Sequence, residues 1–270
     1  MSLLLLTLLI LLKTCFHGKL LVHAVDYDFS YMKSVYNAID LPLVEEYDYI
    51  VIGGGTAGCP LAATLSEKYS ILVLERGNTP KAHPNVLSLS GFLKNFIEED
   101  NGDTPAQRFT SEDGVDNIRG RVLGGSSMVN GGFFSEADDD FFAKSGVEWD
   151  MNEVQKAYKW VKNKIVSYSN LSIWQSVVKQ ALLEVGIGPD NKVTTKYKIG
   201  TKQSGSIFDN MGRRHGAVEL LNKGNLKNLR IAIHAYVNRI IFSTKSSSMS
   251  PFYLSIFFII LITESYIANV

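Results

Sequence analysis

The chain has 270 residues, with 27 basic and 27 acidic side chains and a hydrophobic content of 46%. A length of this order predicts one large domain or two small ones. The zero net charge excludes a generally basic nucleic-acid-binding protein and an acidic solvating tail, and the ordinary hydrophobic content excludes wholesale disorder. Two cysteines cannot build a disulfide framework, so a small disulfide-stabilised scaffold is excluded as well.

The N-terminus has the pattern of a secretory signal. Leu3 to Leu12 is an apolar run broken only by Thr7, and Val22-His23-Ala24 offers small residues at the −3 and −1 positions of a cleavage site. We therefore expect residues 1–24 to be a signal peptide and the chain to enter the secretory pathway, ending outside the cell or in the vacuole. A membrane anchor is the alternative, but ten such residues cover about 15 Å of a roughly 30 Å hydrocarbon core. The sequon Asn170-Leu171-Ser172 predicts a glycoprotein, in agreement with this route.

The C-terminal residues differ from the rest of the chain. Lys245 to Ser250 is polar and serine-rich, and Phe252 to Ile262 is apolar except for Ser255. This apolar run is too short to span a bilayer comfortably as a helix. A strained transmembrane segment and a lipid-anchor signal without its polar spacer are the alternatives. We expect residues 246–270 to be an apolar tail outside the fold, created where a longer chain was cut short, and we expect no stable membrane span.

A first glycine motif follows a predicted strand. Tyr47–Ile52 is rich in β-forming residues and turns wholly apolar at its end, which is typical of a buried parallel strand. It runs into Gly53-x-Gly55-x-x-Gly58, the spacing of the dinucleotide-binding fingerprint. Cys59, beside this loop, is open to interpretation as a redox thiol, but we expect a small apolar packing residue at the helix start.

A helix and a second strand complete the predicted βαβ unit. Pro60 stands in the first helical turn, where a missing N–H does no harm. The predicted apolar stripe of this helix comprises Leu61, Ala62 and Leu65. The strand Ile71–Leu74 ends at Glu75, which lies 22 residues after Gly53. At that distance the fingerprint carries a carboxylate that accepts a hydrogen bond from a ribose hydroxyl, which argues against NADP.

A second glycine-rich segment runs from Gly120 to Phe133 and contains five glycines. Such a segment lets backbone N–H groups face a ligand at close range, with Ser126 and Asn130 as additional hydrogen-bonding groups. Taken alone, it is also compatible with an ordinary glycine loop.

Together the two motifs resemble the glucose–methanol–choline (GMC) oxidoreductases, a family of FAD enzymes. The stretches that carry this resemblance are Gly53–Ala62, Leu74–Gly77 and Gly120–Asn130. Within the family the chain most resembles the plant mandelonitrile lyase branch, through Arg108–Gly114, Gly146–Asp150 and Glu219–Gly224. The resemblance implies an α/β fold over residues 25–245: a Rossmann-like FAD-binding domain, incomplete, with part of the substrate-domain elements.

The resemblance also implies where FAD would bind. The pyrophosphate would lie at Thr56 and Ala57, within the fingerprint glycines Gly53, Gly55 and Gly58, and the adenosine end at Glu75 and Arg76. The flavin and its ribityl chain would lie along Val122, Ser126, Asn130, Gly131, Gly132 and Phe133. The backbone of Val237 would contact the adenine.

Two helices and two strands are predicted in the remaining chain. Asp150 with Glu153 and Ser172 with Gln175 have the spacing of capping boxes. The apolar faces that would pack inward comprise Val154, Ala157, Tyr158, Val161 and Ile165 on the first helix, and Ile173, Val177, Ala181, Leu182 and Val185 on the second. The predicted strands are Leu229–Ile233 and Tyr236–Phe242.

The catalytic residues are unknown at this point. Hydride abstraction from an alcohol needs a general base, which in this family is a histidine from the C-terminal part. After the signal, the histidines are His83, His215 and His234, and none matches that position. We expect the chain to hold most of the FAD-binding half and almost none of the catalytic half, without turnover.

Three functions stay open. The first is an FAD-dependent oxidoreductase acting on the CH–OH group of small-molecule alcohols. The second is a mandelonitrile lyase that cleaves a cyanohydrin while its flavin exchanges no electrons. The third is a non-catalytic fragment that binds FAD weakly.

Overall fold

A small parallel sheet, short helices beside it and several two-stranded pairs make up the fold. The computed structural model describes residues 27–42, 45–242 and 256–261, so the predicted signal peptide and most of the predicted tail lie outside the described residues. The strands in these ranges are β1 (Val35–Asn37), β2 (Tyr49–Ile52), β3 (Ile71–Leu74), β4 (Ala106–Thr110), β5 (Asp116–Gly120), β6 (Phe133–Phe134), β7 (Asp190–Val193), β8 (Thr201–Gln203), β9 (Gly205–Ser206), β10 (Leu229–Ile233), β11 (Tyr236–Phe242) and β12 (Ile256–Leu261). The α-helices are α1 (Gly58–Ser66), α2 (Phe92–Ile97), α3 (Asp139–Lys144), α4 (Met151–Ile165) and α5 (Ile173–Glu184).

Four parallel strands form the central sheet, in the order β1-β10-β3-β2. Val73 in the middle of β3 lies opposite Val51 of β2 on one side and Ile231 of β10 on the other. All residues of β3 are buried, as expected for a strand with neighbours on both sides. β2 forms one edge of the sheet, and Tyr49 and Ile52 are each 44% exposed. The predicted α/β class is confirmed, but β2 is less buried than its sequence predicts.

Helix α1 connects β2 to β3 and packs beside the sheet. Ala62 and Ala63 are almost completely buried, because their small side chains let α1 approach the 3-10 helix Ala217–Lys223 closely. Leu65 is partly buried against the core. Leu61 is 52% exposed, so the stripe predicted for this helix is wrong at that position.

Capping residues begin the two longer helices at the predicted positions. The Asp150 carboxylate accepts hydrogen bonds from the N–H groups of Asn152 (2.9 Å) and Glu153 (3.3 Å) at the start of α4. Ser172 and Gln175 form the predicted capping box of α5. These side chains satisfy N–H groups that have no partner inside the helix, which is why a local pattern predicts them. The face predicted for α4 is buried or partly buried except at Ala157, and its other members are Val154, Tyr158, Val161 and Ile165.

The inward face predicted for α5 is wrong. Ile173, Val177 and Val185 are 87%, 55% and 74% exposed. Ala181 is also exposed, and only Leu182 is partly buried. Helical spacing of apolar residues indicates which face is available for packing, but what covers that face depends on distant parts of a protein. Nothing in the described ranges covers it.

The last strands have the predicted bounds and one unexpected partner. β10 and β11 match the predicted strands. β12 runs antiparallel to β11, with Tyr236 opposite Leu261 and Phe242 opposite Ile256. Part of the predicted tail is therefore strand, paired with the region that resembles the GMC family. No helix in the described part of the chain is long and apolar enough to cross a membrane.

Candidate functional site

The first glycine turn joins β2 to α1 and requires glycine at both ends. Gly53 has a φ of +91°, and its N–H donates to the Leu74 carbonyl at 2.8 Å. A Cβ on Gly58 would lie 2.0 Å from the carbonyl oxygen of Gly53. Glycine is therefore needed at Gly53 for its backbone angle and at Gly58 for close packing. These are two of the roles that the fingerprint predicts.

The start of α1 is open to a ligand. Ala57 precedes the helix and offers no capping side chain. The first N–H groups of a helix have no acceptor within it, and the aligned peptide dipoles place partial positive charge at this end. Thr56, Ala57 and Gly58 line the cleft at this point. The structure therefore places the predicted pyrophosphate residues where a helix N-terminus can receive an anion.

The second glycine turn packs backbone to backbone against the first. Gly124 and Gly125 have φ values of +97° and +60°. The Gly124 N–H donates to the Gly54 carbonyl at 2.6 Å, and the Ser127 N–H donates to Thr56 Oγ1 at 3.3 Å. A Cβ on Gly125 would lie 2.7 Å from the Cα of Gly55, so this approach excludes any larger residue. Two turns that are distant in sequence thus meet at one end of the sheet.

A cleft of about 650 Å³ opens beside these turns. It runs along β2 and the start of α1, past the end of β3 to the start of β11. Of the predicted site residues, it brings together Gly53, Gly55, Thr56, Ala57, Gly58, Glu75, Arg76, Ser126 and Val237. Other lining residues were not among the predicted site residues, and they include Gly120, Gly125, Leu61, Leu65, Ala235 and Tyr236. The repeated glycines of the second motif were the signal available for Gly120 and Gly125.

Glu75 supports the first glycine turn and the bend that follows β3. Its carboxylate accepts from the Gly54 N–H at 2.9 Å and from the Gly77 N–H at 2.8 Å, and the residue is only 5% exposed. Burial raises the pKa of Glu75, and the two amides act in the opposite direction. Each carboxylate oxygen keeps a lone pair beyond the one it uses here. Glu75 is therefore first a structural acceptor, with capacity left for a ribose hydroxyl.

Arg76 and Val237 flank the far end of the cleft. Arg76 Nη1 donates to Gln107 Oε1 at 2.7 Å. Burial lowers the pKa of Arg76, and the nearby guanidinium of Arg119 lowers it further. Val237 lies in β11 and packs against the cluster around Leu74 and Ala235. This end combines a cation with an apolar wall, which suits an adenosine group.

Apart from Ser126, the residues predicted to follow the flavin do not line the cleft. Val122 is completely buried and lies beside Asn78 in a parallel bridge, so its side chain supports the turn from inside. Asn130 and Gly131 are exposed, and Phe133 is 86% exposed. Gly132 has a φ of +80°, and a Cβ there would lie 2.4 Å from the ring of Phe208. Asn130, Gly131 and Phe133 therefore lie on an open surface beyond the cleft.

Cys59 packs as a small apolar residue, as predicted. It is completely buried, and its Sγ–H donates to the Gly54 carbonyl at 3.1 Å. Burial raises the pKa of the thiol, so the reactive thiolate is disfavoured at neutral pH.

The described histidines all lie outside the cleft lining. His215 Nδ1 is 2.9 Å from Glu219 Oε1, at the start of the 3-10 helix Ala217–Lys223. His234 has a φ of +56°, its N–H donates to the Gly77 carbonyl at 3.2 Å, and its ring faces Asp103. These contacts give both residues structural roles. The described residues thus provide a nucleotide cradle whose lining contains no histidine.

The donor set fits FAD. Two glycine turns that exclude a Cβ, an open helix N-terminus and a buried acid at the end of β3 are the features with which parallel α/β folds hold dinucleotides. The chain of contacts continues from the cleft through Ser126 to the exposed loop at Asn130, which gives the site a second half beyond the adenosine and pyrophosphate positions.

Comparisons with known proteins agree with this geometry. The GMC oxidoreductase family model matches residues 47–250. (R)-mandelonitrile lyase 1 from Prunus serotina is 55% identical over 218 residues, which cover 81% of this chain and 39% of that protein. Sinalpyl alcohol oxidase Nec3 from Nesocodon mauritianus is 55% identical over 223 residues, covering 82% of this chain and 40% of that protein. The chain thus spans about 40% of the length of these curated relatives.

Solved structures show the same fold. Pyridoxine 4-oxidase from Mesorbium loti aligns with a TM-score of 0.58 at 21% identity, over 72% of this chain and 43% of that one. A fungal aryl-alcohol oxidase aligns with a TM-score of 0.57 at 20% identity, over 81% of this chain and 44% of that one. Since the family model matches well over half of its residues, the chain belongs to the GMC oxidoreductase family, whose cofactor is FAD.

Proposed function

We propose that this chain forms the FAD-binding portion of an oxidoreductase that acts on the CH–OH group of small-molecule donors. The observation that carries the proposal is the direct packing of the two glycine turns, in which the Gly124 N–H donates to Gly54 beside the cleft. When bound, FAD supplies the hydride acceptor for alcohol oxidation. The chain's own residues bind this group, orient it and exclude water from one side of it.

Each part of the cradle has a proposed partner on the cofactor. Thr56 and Ala57 would hold the pyrophosphate between the glycines Gly53, Gly55 and Gly58. Glu75, Arg76 and Val237 would hold the adenosine. Val122, Ser126, Asn130, Gly131, Gly132 and Phe133 would position the flavin and its ribityl chain. The exposure of Asn130, Gly131 and Phe133 supports this division, because a flat ring system needs an open face on which to meet its substrate.

Alcohol oxidation requires a general base, which in this family is a histidine, and no histidine lines the described cleft. His83, His215 and His234 all lie outside its lining. We therefore expect the 270-residue chain to bind FAD without sustained oxidation of an alcohol.

A mandelonitrile lyase is the second candidate. The first two relatives described above, a lyase and an alcohol oxidase, are each 55% identical to this chain, so identity favours neither activity. Cyanide release from mandelonitrile, against flavin bleaching by aromatic alcohols, separates the two. Sustained turnover of either substrate by this chain would contradict the third candidate, a non-catalytic FAD-binding fragment.

The secretory route and the division of the chain form part of the proposal. Residues 1–24 would be a cleaved signal peptide, and residues 25–245 the GMC-type FAD-binding region. Expression with residues 1–24 intact and sequencing of the mature N-terminus would test the cleavage after Ala24.

Gly55→Ala is the direct test of FAD binding. A Cβ at Gly55 would have only Gly125 Cα nearby, at 3.8 Å, so the fold tolerates it. The same methyl would project into the cleft where the pyrophosphate is to approach the backbone. Titration of FAD, followed by quenching of flavin fluorescence, should show that Gly55→Ala weakens binding by about tenfold or more, with the thermal unfolding midpoint unchanged.

The matched control is Gly188→Ala, where no atom lies within 4 Å of the added Cβ. This control should bind FAD as the original chain does. Equal affinities of the original chain and the Gly55→Ala variant would contradict the proposed site, and absence of FAD binding by the original chain would contradict the proposed function.

A further inference from the structure

Arg214 is a completely buried arginine whose side chain reaches the second glycine segment. Nη1 donates to the Ser127 carbonyl at 3.0 Å and to Asn130 Oδ1 at 2.9 Å, and Nη2 donates to the Asn130 carbonyl at 2.7 Å. The guanidinium carbon lies 4.3 Å from the ring centroid of Phe208. Three hydrogen bonds and one aromatic face therefore fix the orientation of this group.

The positive charge of Arg214 has only neutral partners in the described part of the chain. Arg121 pairs with Asp100 and Arg213 pairs with Asp209, whereas no described carboxylate lies within 4 Å of Arg214. Its Nε is buried without an acceptor there. Burial lowers the pKa of Arg214 to about 10. An unpaired buried charge is destabilising, so packing alone is a poor explanation for it.

The contacts of Arg214 fall on the part of the loop that leaves the cleft. Asn130 Oδ1, which accepts from Arg214, also accepts from the Gly132 N–H at 3.0 Å. Arg214 thereby fixes the side chain that orders the turn into Gly132. At the other end of the same segment, the Ser127 N–H contacts Thr56 of the first turn. The segment is thus held at one end by the nucleotide cradle and at the other by Arg214.

We propose that Arg214 is a positioning residue that holds residues 127–130 in the shape required by the flavin half of FAD. The inference rests on the proposed function, because it assigns the loop at Asn130 to the flavin. The proposal predicts that Arg214 affects FAD binding selectively. The pyrophosphate and adenosine half is assigned to the first glycine turn, the end of β3 and Val237 of β11, and none of these donates to or accepts from the Arg214 guanidinium. Loss of Arg214 should therefore weaken binding of FAD but not of ADP.

The test compares FAD and ADP as ligands of the full chain and of Arg214→Lys and Arg214→Met, by isothermal titration calorimetry at one salt concentration. Lysine keeps the charge but cannot form the forked contacts with Ser127 and Asn130. Both variants should bind FAD about 10- to 100-fold more weakly, the loss expected when charged hydrogen bonds are removed. ADP affinity should stay within about twofold of the original.

Arg213→Lys is the matched control, because Arg213 pairs with Asp209 and does not contact the loop. It should leave both affinities unchanged. Equal weakening of FAD and ADP by the Arg214 variants, or unchanged FAD affinity, would overturn the proposal. If the original chain binds neither ligand, the proposed function fails and this inference fails with it; if it binds ADP and FAD and only the Arg214 selectivity is missing, the inference alone fails.

Asn130→Ala covers the case in which the Arg214 variants do not fold. It removes the Oδ1 acceptor and leaves Arg214 in place, and it should also weaken FAD selectively. Where all variants fold, the double variant with Arg214→Lys should lose less FAD affinity than the sum of the two single losses, because both act through one contact. Additive losses, or an Asn130→Ala chain that binds FAD normally, would overturn the proposal.

Discussion

The sheet around β3 and the helix α5 both carry apolar side chains, but these side chains end in opposite environments. Ile231 in β10 is 0% exposed, whereas Ile173 in α5 is 87% exposed. The first lies between neighbouring strands and under α1, and the second belongs to a face with no cover in the described ranges. The comparison teaches that the nucleotide-binding half carries its own core, while the α5 region has apolar surface that does not contribute to that core.

The largest expected effect comes from making the same substitution in both regions. Ile231→Ala should lower the free energy of unfolding by about 2–5 kcal/mol, because it leaves a cavity between β3 and β1. Ile173→Ala should change it by no more than about 0.5 kcal/mol, because the side chain is exposed. Urea unfolding of both variants, followed by circular dichroism, gives the two values. Similar losses of unfolding free energy in the two variants would contradict this difference between the sheet and α5, because Ile173 would then be covered in solution.

Gly58→Ala should have the next largest effect. The added methyl would lie 2.0 Å from the Gly53 carbonyl oxygen, so α1 or the turn must shift. Overpacking of this kind destabilises by about 1–3 kcal/mol. The thermal unfolding midpoint should fall, and FAD binding should weaken with it. Gly188→Ala serves again as the control, and a Gly58→Ala chain as stable as that control would show that the turn is looser than the structure indicates.

His215 should produce a smaller effect that depends on pH. Hydrogen bonding to Glu219 raises the pKa of His215, and Asp209 also faces the ring at 3.4 Å. A raised pKa means that the folded state favours the protonated ring. The resulting stability is fully present below the ordinary value of 6.5 and is lost as pH rises through the raised value.

The free energy of unfolding should therefore fall with rising pH above 6.5, and His215→Gln should remove that slope. Urea midpoints at a series of pH values measure it. His83→Gln is the control, because burial lowers the pKa of His83 and its contribution has the opposite sign. If the decrease in unfolding free energy with pH persists in His215→Gln, another titratable group causes it.

Local signals in the sequence predicted much of the fold near the cleft. The strand before Gly53, the helix start after Gly58 and the acid after β3 follow each other within one βαβ unit, so each needs only its neighbours in sequence. The caps at Asp150 and Ser172 were predictable for the same reason. The two glycine motifs also indicated that distant turns would meet, which the contact between Gly124 and Gly54 bears out.

Features that depend on distant contacts could not be predicted from the sequence. No pattern in β2 shows that it lies at a sheet edge, and none in α5 shows that its apolar face is uncovered. The charge of Arg214 favours a surface position in any reading of the sequence, yet the residue is completely buried. The side chain of Val122 is completely buried, which the sequence did not indicate, because the direction of a side chain in an irregular turn is set by packing.

Glu75 ties the two sides of the adenosine end into one unit. Because one carboxylate accepts from both Gly54 and Gly77, its replacement would release two bends at once. An engineer who wished to switch the nucleotide preference at this position could not exchange the acid alone. New acceptors for both amides would have to be introduced together with any cation meant for an extra phosphate. A change of cofactor preference at this position therefore requires a redesign of both bends at the same time.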